Sequence, residues 1–171
     1  MRILFLLAAL AALSACATLS EEECRAGNWT DIGLRDGADG REPDHLSRHA
    51  KACADYGIAP DAALWEEGRQ AGITLYCRPE RAWREGADGR RLTSVCIGPD
   101  LPGLQRANQR GLTYHRIGQD IDEAERQISR INSAFGHPAL PPEDRNALLA
   151  ERASLRLEIA GLRAERLLYR Y

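Results

Sequence analysis

The chain has 171 residues, with 23 basic and 25 acidic side chains and a formal charge of −2. That length is one domain, or a domain with an appendage. The near-neutral, evenly mixed charge lacks the basic stripe of a nucleic-acid binder and the polybasic patch of a protein held on anionic lipid, so nucleic acid is not an expected partner.

The chain opens with Met1-Arg2, an apolar run from Ile3 to Leu13, and then Ser14-Ala15-Cys16. A charged start, a short apolar middle and small residues at the end form the layout of a secretory signal. The run is about half of the ~20 residues a spanning helix needs. Leu13-Ser14-Ala15-Cys16 resembles the lipobox of bacterial lipoproteins. The resemblance implies a signal peptide over 1–15, diacylglycerol on the Cys16 sulfur, and a membrane contact made through that anchor. Ala17, where an aspartate would resemble an inner-membrane retention signal, points to the outer membrane, with the protein facing the periplasm. Residues 16–23 then read as a lipid-anchored linker.

Cys24, Cys53, Cys77 and Cys96 remain beyond the anchor. An even count in an exported chain reads as two disulfides, and the absence of a Cys-x-x-Cys pair argues against a zinc ribbon or a thioredoxin-like centre. All four fall in residues 24–98, which also hold Trp29, Trp65 and Trp83 and read as a small, irregular helical domain stapled by its disulfides. Asp44 is placed to cap a helix from His45 to Tyr56, Asp61 to cap one from Ala62 to Cys77, and a short helix is expected from Pro79 to Gly86. Arg91–Ile97 carries the only strand-like pattern. If the first two helices pack as a hairpin, Cys53 and Cys77 stand ~18 Å apart, beyond the ~7 Å reach of a disulfide. Of the remaining pairings, the sequential one, Cys24–Cys53 and Cys77–Cys96, is the simpler.

This region contains an internal echo. Trp29-x3-Gly33-x2-Asp36-Gly37-Ala38-Asp39-Gly40-Arg41 is matched by Trp83-Arg84-Glu85-Gly86-Ala87-Asp88-Gly89-Arg90, and Trp65-x2-Gly68-x3-Gly72 repeats the aromatic-then-glycine spacing. Gly33, Gly68 and Gly72 read as sites of close packing, and Gly37, Gly40, Gly86 and Gly89 as helix-ending caps. The breakers Ile97-Gly98-Pro99-Asp100-Leu101-Pro102-Gly103 then close the region.

Over 103–171 a helical period takes hold. Tyr114, Ile117, Ile121, Ala124, Ile128, Ile131 and Phe135 step by alternating threes and fours, a heptad seam. After Gly136–Pro142 a second helix starts, with Leu148, Leu155, Leu162 and Tyr169 every seventh residue. Two amphipathic helices on a short loop predict a coiled-coil-like antiparallel hairpin, with Ile121, Ile128 and Leu155 buried and Arg126, Arg130 and Arg163 solvated. The fold class expected is therefore mainly α: a disulfide-stapled irregular helical region followed by a long antiparallel helical hairpin.

Cys24, the Trp29–Gly40 segment, Cys53 with Tyr56-Gly57, Gly68-x3-Gly72, Leu75-Tyr76-Cys77, Gly86-x2-Gly89 and Cys96 together resemble a bacterial lipoprotein family known as domain of unknown function 2799, over Cys16 to about Cys96. The resemblance implies a lipoprotein and no particular activity. Among chemistry-bearing residues, His45, His49 and Cys53 at i, i+4 and i+8 align two imidazoles and a thiol. Oxidation removes the thiol, and without the glutamate of a zincin motif the histidine pair reads as a solvated face. Asp36, Asp39, Glu85 and Asp88 lack the alternation of a calcium loop and read as helix-end turns. With no nucleophile elbow and no phosphate-cradling loop, no catalytic residue, metal or cofactor is expected. The reading is a non-catalytic, lipid-anchored envelope protein whose hairpin binds another envelope protein or a second copy of itself. The alternative is a periplasmic small-ligand or metal binder, or an envelope hydrolase, with its site among Trp29, Asp36, Trp65 and Trp83.

Overall fold

The computed structural model describes residues 18–138 and 140–171; the expected signal peptide and Cys16 lie outside them. The described residues form seven helices and no strand, divided between two compact units.

The first unit holds the described residues up to Cys77 together with Thr93–Cys96. Its helices are α1 (Glu21–Ala26), α2 (Trp29–Ala38), α3 (His45–Ala54) and α4 (Ala62–Tyr76). Helix α1 occupies part of the stretch expected to be linker, and it forms because Ser20 and Glu23 make a reciprocal capping box. Asp61 caps α4 as expected, accepting from the Ala63 and Leu64 amides. Asp44 makes no side-chain cap on α3.

Helices α2 and α4 meet backbone to backbone. A methyl group at Gly33 would stand 1.9 Å from the Trp65 carbonyl oxygen, and one at Gly68 1.9 Å from that of Thr30. Only glycine permits such an approach. Beside the crossing Leu19, Cys24, Trp29, Ile32, Cys53 and Trp65 form the core. Disulfides join Cys24 to Cys53 (Cα–Cα 5.6 Å) and Cys77 to Cys96 (5.5 Å), the sequential pairing. The first ties α1 to α3; the second ties the end of α4 to Thr93–Cys96.

The second unit holds Arg78–Leu92 and Ile97–Tyr171, with helices α5 (Pro79–Ala87), α6 (Leu101–Phe135) and α7 (Pro142–Leu168). Helix α5 packs on α6 rather than completing the cysteine-rich stretch. Its reason is again glycine: methyl groups at Gly86 and Gly111 would each meet an opposing carbonyl oxygen, of Asn108 and Trp83, at 2.1 Å. Arg91–Ile97 is irregular, not a strand. The Leu92 amide donates to the Asn108 side chain and the Thr93 amide to the Tyr76 hydroxyl, so neither is left for a strand partner.

Helices α6 and α7 run antiparallel. Arg145 and Arg152 lie over the Phe135 ring, Arg163 pairs with Glu125, and Arg166 donates to the Tyr114 carbonyl, descending α6 as α7 ascends. Ile117, Ile121, Ala124, Ile131, Leu155 and Ile159 are buried between them; Ile128, expected there, is partly buried. Arg126, Arg130 and Arg163 are exposed.

The echo in the sequence is one helix pair built twice. In each copy a glycine within the helix, Gly37 or Gly86, closes the crossing instead of capping it. The later glycine, Gly40 (φ 70°) or Gly89 (φ 80°), turns left-handed and ends the helix. The amides of Arg41 and Arg90 bond back to the carbonyls of Asp36 and Glu85, the pattern of a Schellman motif. Arg69 then donates to the Arg41 carbonyl in one copy and Asn108 to the Arg90 carbonyl in the other. The Trp65 segment is therefore the partner helix of the first copy, and the start of α6 is its counterpart in the second.

Candidate functional sites

In the first copy the residue before the closing glycine is Asp36, fixed on α2 by the crossing itself. Its Oδ2 accepts from the Trp65 indole at 2.8 Å and lies 2.7 Å from His49 Nε2; its Oδ1 lies 3.7 Å from His45 Nε2. His45 and His49 stand one turn apart on α3, their ring centroids 4.8 Å apart, and the Nδ1 of His49 is 2.9 Å from Thr18 Oγ1. The histidine face expected to be solvated is buried, at 8% and 2% exposure, because it packs against α2 at the carboxylate. Sequence spacing aligned the two imidazoles, but only the fold adds Asp36 to them. Cys53 is removed from the group by its disulfide, as expected.

Burial raises the Asp36 carboxyl, but the hydrogen bonds from His49 and Trp65 and the neighbouring imidazoles outweigh it and hold the group below its ordinary 3.8. Burial pushes His45 below its ordinary 6.5, only partly offset by the Asp36 charge. The three side chains sit on the wall of a cavity of about 290 Å³, which Thr18, Glu23, Arg35 and Arg41 also line. The Asp36 backbone thus belongs to the turn that ends α2, as expected, but its side chain belongs to this cluster.

The second copy places Glu85 where the first has Asp36. Its buried carboxylate pairs with Arg90 at 2.7 Å and Arg81 at 3.1 Å. No imidazole reaches it: His115 turns its Nδ1 to the Ala87 carbonyl. Trp83 likewise serves the second unit, donating to the Tyr169 carbonyl and stacking near Tyr114 and Tyr171. Of the residues expected to gather in one site, Trp29, Asp36 and Trp65 lie in the first unit and Trp83 in the second.

The hairpin presents a second candidate surface. Opposite its buried seam, α7 exposes Leu149, Ala153, Leu157, Ala160, Ala164 and Leu168, spaced by threes and fours; Leu157 and Leu168 are 76% and 72% exposed. At 100° per residue this stripe is flanked on one side by Arg145, Arg152, Arg156 and Arg163, and on the other by Glu151, Glu158 and Glu165.

These features define a disulfide-tied, mainly helical protein built on a duplicated, glycine-closed helix pair. The chain belongs to the family described as Protein of unknown function (DUF2799), which matches residues 28–113. The match begins later and ends later than the expected Cys16–Cys96. Its end falls just past Asn108 and Gly111, the residues of α6 that close the second copy. No curated protein and no solved structure matches the chain.

Proposed function

We propose that this is a lipid-anchored, outer-membrane protein facing the periplasm that acts by association through its C-terminal hairpin rather than by catalysis. The observation that carries the reading is the exposed Leu/Ala stripe of α7 between an arginine row and a glutamate row. An apolar stripe bordered by charge is the grammar of a helix that expects another helix, the flanking charges setting partner and orientation. The occupant this pattern suits is a second copy of the chain in parallel. Arg145, Arg152 and Arg163 already reach α6, so the charge argument rests on Arg156: two-fold packing of parallel helices brings that side of each stripe against the partner's glutamate row, and antiparallel packing sets Arg156 against Arg156. An anchor at Cys16 supports the same choice, since it gives every copy one orientation relative to the bilayer. Two residues of chain reach about 7 Å, so on this reading Thr18 and the wall of the Asp36 cavity lie at the membrane surface.

Two measurements test the proposal. Labelling with a fatty-acid analogue should mark the wild-type protein and not Cys16→Ser; equal labelling refutes the anchor. The mature chain without lipid should sediment as a dimer that Leu157→Glu converts to a monomer. A wild-type monomer, or a dimer indifferent to Leu157→Glu, refutes the association.

A further inference from the structure

We propose that Asp36, His45 and His49 bind one divalent cation of the zinc class. The three side chains offer one carboxylate oxygen and two imidazole nitrogens, all within 4.8 Å of one another. Ligands ~2.0–2.2 Å from a tetrahedral ion stand about 3.4 Å apart. Asp36 stands 3.7 Å from His45 Nε2 through Oδ1 and 2.7 Å from His49 Nε2 through Oδ2, each within an ångström of that spacing but by a different oxygen, so a single-oxygen ligand reaches both imidazoles after a turn of the carboxylate. The ion would take the place of the proton that now bridges the closer pair. A donor set of two imidazoles and one carboxylate suits zinc and its neighbours and not calcium, which takes six to eight oxygens.

The groups behind the ligands are also those of a metal site. A ligating imidazole engages its other ring nitrogen, and a ligating carboxylate is itself hydrogen-bonded. Here the Nδ1 of His49 meets Thr18 Oγ1, and Asp36 accepts from the Trp65 indole. Three protein ligands leave a coordination position open, and the ligands line a cavity of about 290 Å³ in which water or a small anion fits.

The second copy of the helix pair supplies an independent argument. It closes on the same glycine geometry and the same Schellman turn, yet neutralises its buried carboxylate with Arg81 and Arg90. The helix pair therefore forms without a histidine pair at this position. Imidazoles at Asp36 add something that guanidinium groups withhold: lone pairs for a metal. Arginine has five donors and no acceptor.

The test uses the full mature chain stripped with chelator, titrated with Zn²⁺ against a chromophoric competitor and, separately, with Co²⁺ followed by visible absorption. One equivalent should bind, and Co²⁺ should give the intense ligand-field bands of a four-coordinate site. His45→Ala and Asp36→Asn should each weaken binding by roughly 10-fold or more and abolish those bands. Asp36→Asn keeps an acceptor for Trp65, so it separates loss of a ligand from loss of fold; circular dichroism confirms that each variant is helical. His115→Ala should bind as wild type. No binding at micromolar Zn²⁺, or wild-type binding by folded His45→Ala and Asp36→Asn, overturns the proposal and leaves the cluster a hydrogen-bonded core.

Discussion

Replacing Gly68 with alanine is the sharpest perturbation of the first unit. In an open helix the change stabilises by about 1 kcal/mol, because alanine restricts the unfolded chain. In α4 the new methyl carbon would stand 1.9 Å from the Thr30 oxygen, 2.8 Å from its carbonyl carbon and 2.9 Å from the Leu34 nitrogen. All three are backbone atoms of α2, so no rotamer change relieves the clash. Restoring even 3.0 Å to the oxygen parts the helices by about 1.1 Å. A gap of 0.5–1 Å forfeits about a quarter to a half of each van der Waals contact along the crossing. With overpacking at about 1–3 kcal/mol or more, the net cost is about 3 kcal/mol, which lowers the melting midpoint of a unit this size by on the order of 12–24 °C. Gly161 in α7 supplies the control, since a methyl group there meets nothing within 4 Å; Gly161→Ala should raise stability by up to about 1 kcal/mol. Thermal melts by circular dichroism and tryptophan fluorescence read both variants. A Gly68→Ala protein that melts at or above the wild-type midpoint refutes the backbone contact.

In the hairpin, Ile121→Ala empties a site 6% exposed and should cost about 2–5 kcal/mol, whereas Arg130→Ala on the solvent side should stay within about 0.5 kcal/mol; denaturant melts that treat the two alike refute the seam. Acid should weaken the first unit in stages. Burial holds His45 below 6.5, so the unfolded chain takes its proton first, and stability is complete above that value and lost as pH falls toward the folded one. Hydrogen bonds hold Glu23 and Glu66 below 4.5, and they outweigh burial to hold Asp36 below 3.8. The folded state therefore binds fewer of these protons than the unfolded chain, and a second loss sets in below those values. A melting midpoint flat from pH 6.5 to well below pH 3.8 refutes these shifts in the folded state.

Much of the fold was legible because it is written in local chemistry. Asp61 before an apolar run announced the start of α4, and the alternating three-and-four spacing from Tyr114 to Phe135 announced the seam. Helix length and thiol reach disfavour only Cys53–Cys77; the sequential pairing is the simpler of the two that remain, and it is the one formed. What escaped was whatever depends on a partner distant in sequence. Gly37 and Gly86 look like caps until the opposing carbonyls of Arg69 and Asn108 are in place. Pro79–Ala87 carries no signal that its partner lies across the Ile97–Gly103 breakers. Helix α1 was missed for a different reason: Ser20 and Glu23 do carry the signature of a capping box, but six residues are too few for a periodic pattern. The candidate cluster was half visible, since spacing aligned His45 with His49 while Asp36 joins them only where α3 packs against α2.

Duplication also explains why the two copies carry different chemistry. Each crossing holds a carboxylate one residue before its closing glycine, part-buried in Asp36 and buried in Glu85, and a carboxylate drawn out of water must be paired. The second copy meets that demand with Arg81 and Arg90, whose cationic groups are spent in doing so. The first meets it with an indole donor and two imidazoles, groups that pair a carboxylate yet keep nitrogen lone pairs within reach of a cavity. Both answers pair the carboxylate, so the need for a partner does not by itself select imidazole over guanidinium. Exchanging the partners tests that directly: His45→Ala combined with His49→Arg offers Asp36 the guanidinium partner that Glu85 has. The variant should keep a midpoint near wild type and lose metal binding. A folded variant that still binds the metal would show that the imidazoles are not its ligands.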